Sequence, residues 1–122
     1  MQQPTVIGVV DDDPGVRGSI DSFIRSGGMR TIGFESAEAL LGSGAETELA
    51  CIVTDLHMPG ISGLQLQQEI TRRGWQHPLI VMTAFPTPEA RAQALDGGAA
   101  AFLTKPIDPD CLLEAIEAAT AR

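Results

Sequence analysis

The chain has 122 residues, enough for one domain that buries roughly two-thirds of its unfolded surface. Apolar residues make up 43% and charged residues 20%, a composition that excludes a disordered chain and reads as globular and soluble. A net charge of −8 repels phosphate backbones and anionic lipid heads, so neither nucleic acid nor a membrane surface is an expected partner. No apolar run approaches the ~20 residues that span a bilayer, and Met1-Gln-Gln-Pro4 lacks the basic and apolar parts of a leader, so a cytoplasmic location is expected.

In chain order, five short apolar runs alternate with segments of helical period. The first run, Thr5–Val10, leads into Asp13-Pro14, a cap residue followed by a proline suited to the first helical position. The helix this starts carries Val16, Ile20, Phe23 and Ile24 and stops at Gly27-Gly28. The second run is Arg30–Phe34, after which Ser36 caps a short helix through Leu41 that Gly42 ends. The third run, Ala50–Thr54, precedes Ser62 and Gln65, whose spacing is that of a capping box ahead of Leu64, Leu66 and Ile70. The fourth, Leu79–Thr83, and the fifth, Ala100–Thr104, are followed by Thr87-Pro88 and Asp108-Pro109, which repeat the cap-then-proline signal. Those last helices are expected to end near Gly97 and Ala121.

Runs one, three and four are rich in Val and Ile and almost unbroken by polar residues. Strands covered by helices on both faces have that pattern. The alternation predicts an α/β fold, a doubly wound parallel sheet with right-handed crossovers. Cys51 and Cys111 lack CxxC spacing and lie in apolar-periodic segments, so both are expected to be buried, reduced thiols.

Ligands of such sheets sit outside the carboxyl ends of the strands, so the residues that close each run matter most. Run one closes on Asp11-Asp12-Asp13, run three on Asp55, run four on Thr83 and run five on Thr104-Lys105-Pro106. Carboxylates held a few ångströms apart require a cation, or one of them must take up a proton. An all-oxygen site of this kind suits Mg²⁺. A divalent ion flanked by Lys105 and Thr83 can neutralise a phosphoryl group in transfer, with Asp55 as the natural nucleophile.

In Asp11-Asp12, Asp55-Leu-His-Met-Pro59 with Gly63, Thr83-Ala84 and Lys105-Pro106, the chain resembles the receiver domain of two-component response regulators. The four motifs keep the family's order and spacing from about Thr5 to Ala119. Ser36-Ala-Glu-Ala-Leu40 and Thr104-Lys-Pro-Ile107 look most like the FixJ-type branch, whose members usually carry a C-terminal helix-turn-helix. Residues 1–122 are accordingly read as a single receiver domain without that output domain. The resemblance implies a flavodoxin/CheY-like sheet of order 2-1-3-4-5 with five helices. It implies that Asp55 accepts a phosphoryl group from a sensor histidine kinase. Asp12 would bind Mg²⁺ or Mn²⁺ directly, Asp11 through water, with Asp55 and the backbone carbonyl of His57 completing the protein's ligands. Thr83 would hydrogen-bond the aspartyl phosphate, Lys105 would pair with its charge across a cis Lys105-Pro106 bond, and Phe102 would be the switch aromatic. Phosphorylation would then alter the face made by the fourth helix, fifth strand and fifth helix, forming a homodimer or releasing a DNA-binding domain that controls transcription. His57 and Phe85 would occupy variable positions that influence the lifetime of the phosphate, and Ala101 stands where many relatives carry a polar residue.

Each feature also has a plainer reading. Asp13 fits a helix cap alone, the His57 ring a solvent-facing side chain, and Trp75 and His77 ordinary packing and surface residues. Asp11-x-Asp13 superficially fits an aspartate-nucleophile phosphatase of the haloacid dehalogenase type, but Gly15 stands where a hydroxyl or β-branched residue belongs. A flavodoxin-like cofactor carrier should have a Gly- or Ser/Thr-rich phosphate loop after strand one, where three aspartates stand instead. A degenerate receiver that no longer takes phosphate stands as a further alternative, although no key residue is missing.

Overall fold

A computed structural model describes residues 5–121. The leaderless reading of Met1–Pro4 falls outside them.

Strands β1 (Val6–Val10), β2 (Arg30–Phe34), β3 (Cys51–Asp55), β4 (Leu79–Thr83) and β5 (Ala101–Thr104) form one parallel sheet of order β2-β1-β3-β4-β5. Helices α1 (Pro14–Ser26), α2 (Ala37–Leu41), α3 (Gly63–Arg72), α4 (Pro88–Asp96) and α5 (Pro109–Thr120) alternate with them. The doubly wound α/β architecture and the strand order therefore stand as expected. A 3₁₀ turn, Ala45–Thr47, precedes β3 and had no signature in the sequence.

The cap signals are used as the chain suggested. Asp13 accepts from the Gly15 and Val16 N–H groups, and Asp108 from those of Asp110 and Cys111. Ser62 and Gln65 form both halves of a capping box. These bonds fix where each helix begins, and so where each strand-end loop must turn.

Alternating strand residues supply two cores. Ile7, Val9, Cys51, Val53, Ile80 and Met82 pack with Ile20 and Ile24 of α1 and Leu112 and Ile116 of α5. Val10, Ile52 and Val81 pack on the other face with Leu40, Leu66, Ile70 and Ala94 of α2, α3 and α4. Every residue of β3 and β4 is buried. Truncating Ile80, wholly enclosed between two layers, costs about 2–5 kcal/mol.

One expectation is corrected here. Cys51 is buried as predicted, but Cys111 is exposed. On α5 the inward stripe is Leu112 and Ile116, spaced by four. Cys111 precedes Leu112 by one residue, a rotation of about 100° about the helix axis, and so leaves the core face.

Candidate functional site

The carboxyl ends of β1, β3, β4 and β5 meet at one edge of the sheet. Asp11 follows β1, where its N–H donates to the Phe34 carbonyl at 3.1 Å. Asp55 is the last residue of β3, with its carbonyl accepting from Thr54 Oγ1 at 3.0 Å. Thr83 closes β4, and the Lys105 N–H extends the β5 pairing by donating to the Thr83 carbonyl at 2.8 Å. The central strands are buried on both faces, so their terminal side chains are held by a rigid frame.

Lys105 Nζ ties the acids together, lying 2.9 Å from Asp11 Oδ2 and 3.2 Å from Asp55 Oδ1. Asp11 is fully buried, and its other oxygen accepts from the Asp13 N–H at 2.9 Å. Asp12 is exposed. One carboxylate oxygen from each of Asp11, Asp12 and Asp55 lies within 4.8 Å of the other two. Burial pushes the Asp55 carboxyl above the ordinary range, Lys105 pulls it back, and the Asp11 charge adds to the rise. For Lys105, burial works against the ammonium, but Asp11 and Asp55 together outweigh it and raise its pKa. The Lys105-Pro106 peptide is cis.

Three carboxylates face a single ammonium, which leaves the cluster with negative charge in excess. Its donors are all hard oxygens, and Asp12 is open to solvent. That donor set fits Mg²⁺ or Mn²⁺, which favour carboxylates and retained waters.

Thr83 is buried, and its Oγ1 accepts from the Phe85 N–H at 3.0 Å. The hydroxyl proton stays available for a second partner. Phe85 is 73% exposed, and its ring meets the exposed His57 ring edge-on, with centroids 6.2 Å apart. The His57 side chain thus lies outside the acidic cluster, as its plainer reading had it. Phe102 is half-buried against the α2–α4 core, with the Arg91 guanidinium 6.0 Å above its ring.

Motif spacing picks out Gly63 without giving its reason, and it passes over Arg17. Gly63, first residue of α3, sits against Asp55: a Cβ there would lie 2.6 Å from the Asp55 carbonyl oxygen. Arg17 Nη1 donates to the Asp11 carbonyl at 2.7 Å. The signal for Arg17 in the sequence is only a basic residue one turn into a helix that follows an acidic strand end.

The model of the response regulator receiver domain matches residues 7–117. Transcriptional regulatory protein FixJ of Azorhizobium caulinodans is 38% identical over 122 residues, all of this chain and 58% of its own length. Nodulation protein W of Bradyrhizobium diazoefficiens is 37% identical, over 96% of this chain and 52% of its own length. The chain thus spans about half the length of the curated relatives it matches. The crystal structure of FixJ-N superposes with a TM-score of 0.86 at 30% identity, covering 98% of this chain and 95% of that one.

Proposed function

The chain belongs to the response regulator receiver domain family, a family of signalling domains, and from that membership we propose that Asp55 is its phosphoacceptor. The single observation that carries this reading is the Lys105 ammonium held between Asp11 and Asp55 at the end of a fully buried strand. It supports a pocket built to gather negative charge around one nucleophile.

In the proposed step an Asp55 carboxylate oxygen attacks the phosphorus of a phosphohistidine on a sensor histidine kinase. A P–O bond forms, the P–N bond breaks with its electron pair returning to the nitrogen, and the imidazole, already protonated on its other ring nitrogen, leaves as the neutral base. Lys105, whose Nζ lies 3.2 Å from Asp55 Oδ1, would offset the charge of the new acyl phosphate. Thr83 has a free hydroxyl proton to donate to another. Asp11, Asp12, Asp55 and the His57 carbonyl would hold Mg²⁺ or Mn²⁺, which when bound neutralises charge building on the phosphoryl oxygens. Beside Lys105, an apolar groove of about 400 Å³ between α1 and the β5–α5 loop, with Val16, Ile20, Phe23 and Ile107 on its walls, offers the kinase a seat.

Phosphorylation adds about 1.5 to 2 negative charges and three acceptor oxygens. These draw Thr83 inward and vacate space for Phe102, which changes the α4–β5–α5 face. That change controls homodimer formation and an output domain, transcriptional in kind as in the FixJ relative. The phosphatase alternative is disfavoured because Asp13, its second carboxylate, is occupied capping α1.

The test is intact mass after incubation with acetyl phosphate, with and without Mg²⁺, beside Asp55→Asn. The expected gain is one phosphoryl group that requires both Mg²⁺ and Asp55. A label kept in Asp55→Asn and lost in Asp11→Asn would restore the phosphatase reading.

A further inference from the structure

We infer that Arg17 is a positioning residue for the cation site, acting through the peptide that joins Asp11 to Asp12. The inference rests on the reading of Asp11, Asp12 and Asp55 as a divalent-cation site.

Asp11 is pinned at four points. Its N–H donates to the Phe34 carbonyl, its Oδ1 accepts from the Asp13 N–H, and its Oδ2 accepts from Lys105. The fourth point is its carbonyl, held by the Arg17 guanidinium at 2.7 Å. That carbonyl belongs to the same planar peptide as the N–H of Asp12, so fixing its direction fixes the path by which the chain delivers Asp12. Asp12 needs such help. It is exposed, lies beyond the last β1 residue, and its carboxylate has no hydrogen-bond partner or ion pair among the described residues. One of its oxygens nevertheless falls within 4.8 Å of an oxygen of Asp11 and one of Asp55. The orientation of the backbone is what places it there.

Arg17 is itself well placed for this work. Its backbone N–H makes the first helical bond of α1, to the Asp13 carbonyl at 2.9 Å, so its Cα is fixed to the same loop. Its stem runs beside Gly33 of β2, where a Cβ would lie 3.6 Å from Cδ. Helix and sheet edge therefore confine the guanidinium from two sides. Outer groups that orient ligands in this way change metal affinity by about 10–100-fold when removed.

Charge alone predicts the opposite sign. A guanidinium near the acids repels a divalent cation, and its removal should tighten binding. The two effects thus separate in one experiment. Mn²⁺ is titrated by water-proton relaxation, with no phosphodonor present, into the parent chain, Arg17→Met and Arg17→Lys, with melting followed by circular dichroism. Orientation predicts that Arg17→Met binds Mn²⁺ about tenfold more weakly, with Arg17→Lys weakened less, while saturating Mg²⁺ restores the acetyl-phosphate labelling rate. Unchanged or tighter binding in a folded Arg17→Met would overturn the inference. If that variant does not fold, Arg17→Lys decides: weaker binding by several-fold supports the inference, and the parent value overturns it. A parent chain that binds no Mn²⁺ would instead overturn the cation site, and the inference with it.

Discussion

Lys105 Nζ donates to Asp11 Oδ2 at 2.9 Å across 94 residues of sequence, joining the first strand end to the last. Where a divalent ion is absent, this ammonium is the positive charge that holds two buried acids together. It must also oppose the entry of a cation into the same cluster. Lys105→Met should therefore lower the stability of the chelated protein by about 1–3 kcal/mol, because Asp11 Oδ2 loses its donor. The same variant should bind Mn²⁺ more tightly than the parent. Thermal melting in chelator and a relaxation titration check both; equal stability with no tighter binding would contradict the assignment.

The raised pKa of Asp55 has a defined consequence for stability. The folded chain keeps the Asp55 proton to higher pH than the unfolded chain does. That contribution to stability is fully present below the ordinary aspartate value of 3.8, and is lost as pH rises through the raised value. Removing the charge should thus help the folded state at neutral pH. Asp55→Asn is expected to raise Tm in chelator by a few degrees at pH 7, with the gain vanishing below pH 3.8. Melting curves across that range supply the check.

Gly63 is a contact requirement. A Cβ at this position would stand 2.6 Å from the Asp55 carbonyl oxygen and 2.9 Å from Leu56 Cα, both backbone atoms. The Gly63 N–H also donates to the Leu56 carbonyl at 2.9 Å, so α3 cannot simply swing away. Gly63→Ala should cost about 1–3 kcal/mol and slow labelling by acetyl phosphate, since the shift falls on the nucleophile's own residue. Normal labelling by a destabilised variant would show that Asp55 does not move with Gly63.

The cysteines should respond differently to a thiol reagent. Burial pushes the Cys51 thiol up to about 12, which leaves almost no thiolate. Cys111 is exposed, but the Asp108 charge and its acidic neighbours raise its pKa too. Dithionitrobenzoate should modify Cys111 alone, and slowly, in the folded chain, with Cys51 following only in guanidinium. Rapid reaction of both without denaturant would contradict the core assignment.

Much of this was legible in the sequence because it is local. β1, β3 and β4 show as short Val- and Ile-rich runs, and cap residues sit next to the prolines they precede. The Ser62–Gln65 box needs only three residues of spacing. The site was legible because the strands are parallel, which sends every run's last residue to one edge. What escaped depends on direction about a helix or on contact across elements. Cys111 lies one residue off its helix's inward stripe, and a short apolar window does not resolve that. Gly63 stands in the motif, but the close approach to the Asp55 carbonyl that requires it does not show there. Arg17 acts through the Asp11 carbonyl, and every residue carries a carbonyl, so no residue type announces that bond. The 3₁₀ turn at Ala45–Thr47 is too short to show a period.

The most direct measurement is to reduce the acetyl-phosphate-labelled chain with borohydride and map its peptides by mass spectrometry. An acyl phosphate is reduced to the alcohol, so the labelled aspartate becomes homoserine. The expected result is homoserine at position 55 alone, and only when Mg²⁺ was present during labelling. Homoserine at position 11, 12 or 13, or a label that resists reduction, would contradict the assignment of Asp55 as the phosphoacceptor.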